Sequence, residues 1–269
     1  MTESTLNIHA HLPGPQVSPF IKAYIVVESQ HEWLSHVLPD TSVVMALRFR
    51  GNLHSESNGI KIDLPLSSIS GLRKTSRTFQ YSGHTGNILI IFKEAGLNAF
   101  FKAPVHELFG KNVSLDHFMK AGQVADFEEQ LAAMRSSQQR IDLVERLLIS
   151  QLQNYTCDPI ILNSLHQLHQ SKGSIRIRQL ADSLYMSQDV FEKRFRRTVG
   201  TSPKQFSSIL RLRNIVHVRH HHQSLSDIAF NAGYFDQAHF NKDFKLFTGQ
   251  TPGDFFRSPP FLQVNDFLQ

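Results

Sequence analysis

The chain has 269 residues and a single cysteine, Cys157, so no disulfide can close within it. A reducing compartment is expected, with the thiol serving as a small buried hydrophobe rather than a redox centre. No stretch approaches the roughly 20 consecutive apolar residues that a membrane helix needs. The opening Met1-Thr2-Glu3-Ser4-Thr5-Leu6 has no basic segment leading into an apolar run, so no secretory leader is expected. The glycine-rich phosphate loop and the Gly-x-Ser-x-Gly elbow are both missing, which removes two common sequence signals of catalysis. His9 and His11 form a His-x-His, but no carboxylate follows at the spacing of a metal-binding barrel, and His84, His106 and His117 are scattered. Metal sites need three or four convergent ligands. No catalytic residue, metal or cofactor is therefore expected.

What the chain does have is an internal repeat. Phe191, Phe195, Gly200, Pro203 and Phe206 recur as Phe240, Phe244, Gly249, Pro252 and Phe255, each 49 residues on. Upstream, Leu180-Ala181 recurs as Ile228-Ala229 at an offset of 48, a slip that a turn between helices can absorb. Each copy reads as a short helix, a tight turn, a second helix, and Gly-x-x-Pro opening a third. That is a helix-turn-helix unit present twice.

In the first copy a supporting helix is expected over 177–184, with Tyr185-Met186-Ser187 as the turn and a second helix from about Gln188 to Val199. Ser187 is expected to cap that helix through its hydroxyl. Phe191 and Phe195, four apart, share its buried face. Gln188, Asp189, Glu192, Lys193, Arg196 and Arg197 remain for the other faces. Gly200 suits a left-handed helix end, and Ser202-Pro203 a new start. The long helix that follows should reach about His222 and carry Arg211, Arg213 and Arg219. His220-His221-His222 are read as solvated polar residues at its end.

The second copy opens with Ser224 and Asp227 in a capping-box arrangement. It continues through a supporting helix over 227–232, a turn at Gly233-Tyr234, and a second helix over 236–247. Gln237, Ala238, His239, Asn241 and Lys242 lie near the start of that helix, where base contacts usually occur. Amides, carboxylates and ammonium groups there can match the donor and acceptor pattern of base edges. Thr251-Pro252 starts the last helix.

Charge is distributed accordingly. Residues 171–258 hold 14 Lys/Arg against 7 Asp/Glu, whereas residues 1–170 hold 14 against 15. A basic lobe beside a neutral one is the footprint of a nucleic-acid-binding domain with a second role attached. In residues 1–115, strands are expected over 42–49, 61–64, 78–81 and 87–92, with a loop over 82–86. Pro104 should break any long helix between Leu97 and Phe109. Together these suggest a small β-barrel or sandwich.

Residues 116–170 read as three connecting helices, able to bridge the lobes or pair protomers. Val124, Phe127, Leu131 and Met134 share one face, and Ile141, Val144, Leu147 and Leu148 share another. A third apolar set, Ile161, Leu165 and Leu168, follows a start at Pro159. Asp126, Glu128 and Glu129 are expected in an early turn, where they favour the helix dipole. A tail, 259–269, ends the chain. The fold class expected is α+β, with an N-terminal β-barrel-like domain and a C-terminal all-α domain of two helix-turn-helix subdomains joined by a long helix.

At residues 171–257 the chain resembles the AraC/XylS family of bacterial transcription regulators. The most specific portion is Asp227-Ile228-Ala229-Phe230-Asn231-Ala232-Gly233-Tyr234, followed by Phe240, Phe244 and Thr248-Gly249-Gln250-Thr251-Pro252. The resemblance implies two reading helices in neighbouring major-groove segments. By motif position, base contacts carry over to Asp189, Glu192 and Lys193, and to Gln237, Ala238, His239 and Lys242. Asp189 and Glu192 depart from the polar or basic residues often found there; a carboxylate repels phosphate but can accept from cytosine N4.

His36-Val37-Leu38-Pro39-Asp40, Ile69-Ser70-Gly71-Leu72 and Phe92-Lys93-Glu94-Ala95-Gly96 resemble the sensor-type domain of one branch of that family. The partners implied are double-stranded DNA, RNA polymerase, a small-molecule effector and a second protomer, with no membrane, in the cytoplasm at the nucleoid. Two other readings compete: a metal-dependent enzyme domain fused to a DNA-targeting module, and an interaction protein whose helical repeat binds protein.

Overall fold

A computed structural model describes residues 6–57, 60–102, 104–217 and 224–257. The N-terminal part is built from β1 (Leu6–His11), β2 (Ile21–Ser29), β3 (Trp33–Val37), β4 (Val44–Arg50), β5 (Leu53–Ser57), β6 (Ile60–Asp63), β7 (Ser67–Ser70), β8 (Arg77–Tyr81), β9 (Thr85–Phe92) and β10 (Asn112–Ser114). They form a six-stranded sheet, β1-β2-β9-β4-β7-β10, and a four-stranded sheet, β3-β8-β5-β6. Side chains alternate across the larger sheet. Tyr24, Val26, Met45, Leu47, Ile88, Ile90 and Phe92 belong to the core shared with the helices. Ile25, Val27, Val44, Leu89 and Ile91 face inward, toward Leu53, Phe79 and Tyr81 of the smaller sheet.

The four expected strands correspond to β4, β6, β8 and β9; the other six were not legible. β2 is buried on both faces along most of its length, so its run shows no alternation to read. β7 is short and serine-rich. β9 begins at Thr85, which shortens the expected loop and leaves His84 at φ 57°. Short 3-10 turns at Gly96–Ala99 and Val105–Leu108 flank Pro104.

Three helices follow: α1 (Ala121–Ala133), α2 (Ser137–Gln151) and α3 (Pro159–Gln170). Val124, Phe127 and Leu131 are buried, as are Ile141, Val144 and Leu148, while Leu147 is only partly so. Asp126, Glu128 and Glu129 do not occupy an early turn. α1 starts at Ala121 and has no acidic residue in its first turn, so these carboxylates lie beyond the reach of the N-terminal dipole. α2 opens with a capping box of Ser136 and Gln139. α3 has Asp158 as N-cap and Pro159 in its first turn.

The C-terminal part comprises α4 (Ile177–Ser183), α5 (Gln188–Val199), α6 (Pro203–His217), α7 (Leu225–Asn231), α8 (Gln237–Thr248) and α9 (Pro252–Arg257). One apolar cluster runs from Val17 through the sheet and connector into Phe191, Phe195, Phe206 and Leu210. A second gathers Ile209, Leu212, Ile215, Phe240, Phe244 and Phe255. α6 therefore lends one set of residues to each cluster.

Candidate nucleic-acid interface

The two copies share their backbone bonding as well as their residue spacing. Tyr185 N–H donates to Asp182 and Met186 N–H to Ala181; in the second copy Gly233 donates to Phe230 and Tyr234 to Ala229. These pairs run at an offset of 48, but the N-caps Ser187 and Asp236 stand 49 apart. The inserted residue is Phe235, in the second turn and 95% exposed. The slip is thus absorbed between helices, as the spacing predicts.

The left-handed turn residue is Gly233 in the second copy (φ 76°) but Tyr185 in the first (φ 56°). A Cβ is disfavoured in that conformation. Tyr185 is 98% exposed and so has little packing to lose. Tyr185→Gly is expected to stabilise the first unit by roughly 1 kcal/mol, measured by denaturant unfolding; a loss of stability would mean that the turn depends on the tyrosine ring.

Phe191, Phe195 and Phe206 stack edge to face in the first unit, with centroids 5.7 and 5.6 Å apart. Phe240, Phe244 and Phe255 repeat the arrangement at 5.4 and 5.3 Å. Each triad fixes the rotation of its reading helix, α5 or α8. Gly200 (φ 95°) and Gly249 (φ 83°) end those helices in the left-handed conformation.

On α5, Gln188, Asp189, Lys193, Arg196 and Arg197 are exposed and Glu192 is half-buried. Gln188 donates to Glu192 at 2.8 Å. On α8, Gln237, Ala238, His239 and Lys242 are exposed. Gln237 accepts from the Ser226 hydroxyl at 2.9 Å, and His239 lies edge-on to Tyr234 and 3.6 Å from Asp243. Asn241 is half-buried, with its Oδ1 enclosed and unpartnered. Lys193, Arg196, Arg197 and Lys242 make no ion pair among the described residues. Lys245 stands in α8 where Arg196 stands in α5; the 49-residue offset could have found it.

Arg194, which sequence reasoning left out, pairs with Asp158 and so ties α5 to the start of α3. That pairing holds the Asp158 carboxyl below its ordinary range against the opposing effect of burial. The Ser187 hydroxyl does not cap α5. At the equivalent position of the second unit the Asp236 carboxylate does cap, accepting from the His239 N–H at 2.7 Å. Ser224 and Asp227 do form the expected capping box. Arg219, His220-His221-His222 and the tail lie outside the described residues.

Both reading helices end on the N-terminal domain. Asn98 donates its side-chain amide to Thr198 O at 2.9 Å, at the end of α5. Ser76 N–H donates to Phe247 O at 3.1 Å, at the end of α8. Leu38 packs into the second unit's core, and Asp40 pairs with Arg213 of α6 at 3.2 Å. Glu94 binds Lys22, Thr41 and His169. Two of the three segments resembling a sensor domain therefore supply side chains to this joint.

The geometry defines the class: a duplicated helix-turn-helix domain with two exposed reading helices, joined to a two-sheet domain. Residues 180–258 match the helix-turn-helix domain family, and residues 9–114 match a domain of unknown function, DUF6597. The C-terminal domain is thus of the helix-turn-helix kind that this family model describes, and relatives it matches are named AraC-like.

A Streptomyces lividans protein, provisionally named an AraC-like transcription regulator, is 29% identical over 104 residues, covering 38% of this chain and 34% of that protein. An uncharacterised HTH-type transcriptional regulator of Haemophilus influenzae is 29% identical over 118 residues, covering 44% and 39%. The chain thus spans little more than a third of the length of these curated relatives. Among solved structures, ToxT of Vibrio cholerae is similar at a TM-score of 0.44 and 10% identity, over 95% of this chain and 98% of that one.

Proposed function

We propose that the chain is a sequence-specific DNA-binding transcription regulator whose DNA affinity is gated by an effector through the N-terminal domain. The observation that carries the reading is the duplicated unit, with α5 and α8 both presenting to solvent cations that make no ion pair among the described residues. α5 and α8 enter neighbouring major-groove segments about 34 Å apart, one helical turn of DNA. Lys193, Arg196, Arg197, Lys242 and Lys245 supply phosphate and base contacts. Gln188, Asp189, Glu192, Gln237, Ala238, His239 and Asn241 read base edges. Residues 1–115 sense, 116–170 connect, and 171–258 bind DNA. Such a protein works in the cytoplasm at the nucleoid, where RNA polymerase and a second protomer are its further partners.

Gating has a physical route. Arg73 lines the interior of the β-domain and donates to Val37 O and Leu38 O at 3.1 and 3.2 Å. Leu38 and Asp40 then contact the second unit and α6. A ligand that moves this segment changes how the two units are held. An effector acts only through its differential affinity for the two arrangements.

Selection of a randomised duplex library on the full-length chain tests the reading. Enrichment of two short motifs one helical turn apart is expected, and salt-insensitive binding without enrichment would favour the protein-interaction reading. Lys242→Ala should then relax specificity within one half-site only, at a cost of ~1–3 kcal/mol. Uniform weakening on every sequence, with a shallower salt dependence, would instead make Lys242 a phosphate contact.

A further inference from the structure

Between its two sheets the β-domain holds a cavity of about 100 Å³. Ile25, Val27, Trp33, Leu53, Phe79 and Leu89 form much of its apolar wall. A cavity of ~150 Å³ admits a molecule the size of benzene, so this one suits a compact ligand. Its polar residues are the informative ones. Arg48 and Asn87 are direct partners across β4 and β9, and both line the cavity. Arg48 is 8% exposed and Asn87 only 1%.

The Arg48 guanidinium donates to Leu53 O at 3.4 Å and Leu64 O at 3.0 Å, while its Nε has no partner among the described residues. It forms no ion pair among the described residues; Asp63 and Glu128 act on it only through their charge. The Asn87 Oδ1 is buried without a partner among the described residues, and so is the Asn112 Oδ1 on the same cavity. A buried cation held only by carbonyls is costly, and a buried orphan polar atom calls for an explanation. An orphan cationic donor beside an orphan acceptor, inside an apolar chamber, is complementary to one kind of molecule.

We infer that the β-domain cavity binds a small, largely apolar carboxylate that carries a hydrogen-bond donor, with the carboxylate on Arg48 and the donor on Asn87. The inference rests on the effector-gated reading only for its consequence at DNA. The binding event stands on the cavity itself.

Trp33 is the chain's only tryptophan and lines the cavity, so its fluorescence reports occupancy directly. Full-length protein is titrated with pentanoate, 2-hydroxypentanoate, pentanamide and pentan-1-ol. Saturable binding of the carboxylates is expected, tightest for the hydroxylated one and at least about tenfold weaker for the amide and the alcohol, since hydrogen bonds to charged groups are the strong ones. Arg48→Met should lose the preference for carboxylate over amide while keeping the melting temperature near that of the parent. Arg48→Lys should retain the preference; it keeps the inference testable if the methionine variant fails to fold.

Equal binding of carboxylate and amide, or undiminished selectivity in Arg48→Met, overturns the assignment. Absence of any saturable signal overturns it as well, with the cavity then holding water. Operator affinity is measured on the same samples. Carboxylate binding that leaves DNA affinity unchanged upholds the site and defeats the gating reading, so the two failures are told apart.

Discussion

Phe244→Ala is expected to remove ~3–5 kcal/mol from the second helix-turn-helix unit and to abolish the DNA contact proposed for α8. Phe244 is fully buried and touches Phe240, Phe255 and Phe256. Its cluster is separate from the main core and, among the described residues, draws only Leu38 from the N-terminal domain. Loss of the ring should therefore melt the second unit ahead of the rest, giving an early transition followed by the parental one. Phe195→Ala removes the equivalent ring of the first unit, whose core is continuous with the connector and the six-stranded sheet. That variant should lower the main transition instead. Calorimetry of the two variants distinguishes these outcomes; identical single transitions would refute the division of the core between the units.

The second large effect concerns acid. Glu94 is held at a pKa of about 2, down from 4.5. Burial alone would raise it, but the hydrogen bond with His169, the charge of Lys22 and the Thr41 hydroxyl outweigh that penalty. A carboxyl whose folded pKa is depressed stabilises the fold above its unfolded pKa and loses that contribution as pH falls through the folded one. The stability supplied here, on the order of 3 kcal/mol, should be complete above about pH 5 and vanish toward pH 2. Glu94→Gln should destabilise the protein at neutral pH and flatten this limb of its stability profile. An unchanged acid limb in the variant would assign acid sensitivity elsewhere. Since Glu94 joins β-domain residues to His169 of α3, loosening should be felt first at the joint between domains.

The reading units were legible because a duplicated spacing survives translation into structure with little change. Phenylalanines four apart must share a helix face, and glycine at a left-handed helix end has few substitutes. The β-domain was only half legible. β2 is buried on both sides and offers no alternation, and the short serine-rich β7 has no apolar face to detect. Arg48 was hidden for a related reason. It sits in the run Val44-Met45-Ala46-Leu47-Arg48-Phe49, where it reads as the polar end of a strand. Only the register of β4 with β9 turns it inward beside Asn87. The expected dipole role of Asp126, Glu128 and Glu129 failed because helix starts are set by caps and tertiary packing, which placed the start of α1 five residues before Asp126.

By itself the sequence determined the repeat, the asymmetry of charge, the caps at Ser224 and Gly249 and the polar and basic side chains that α5 and α8 present to solvent. Each of these is local, resting on spacing along a helix or on the conformational limits of one residue. Tertiary structure decided what no local rule contains. It merged the first unit's core with the sheet while leaving the second nearly alone, and it brought Asn98 and Ser76 onto the ends of the reading helices. It also closed two sheets over a buried arginine that has no ion pair among the described residues. These contacts join residues up to 173 positions apart, as Asp40 and Arg213 are. Such pairings follow from how sheets and helices stack to bury both of their faces, and that is settled only once the whole chain has packed.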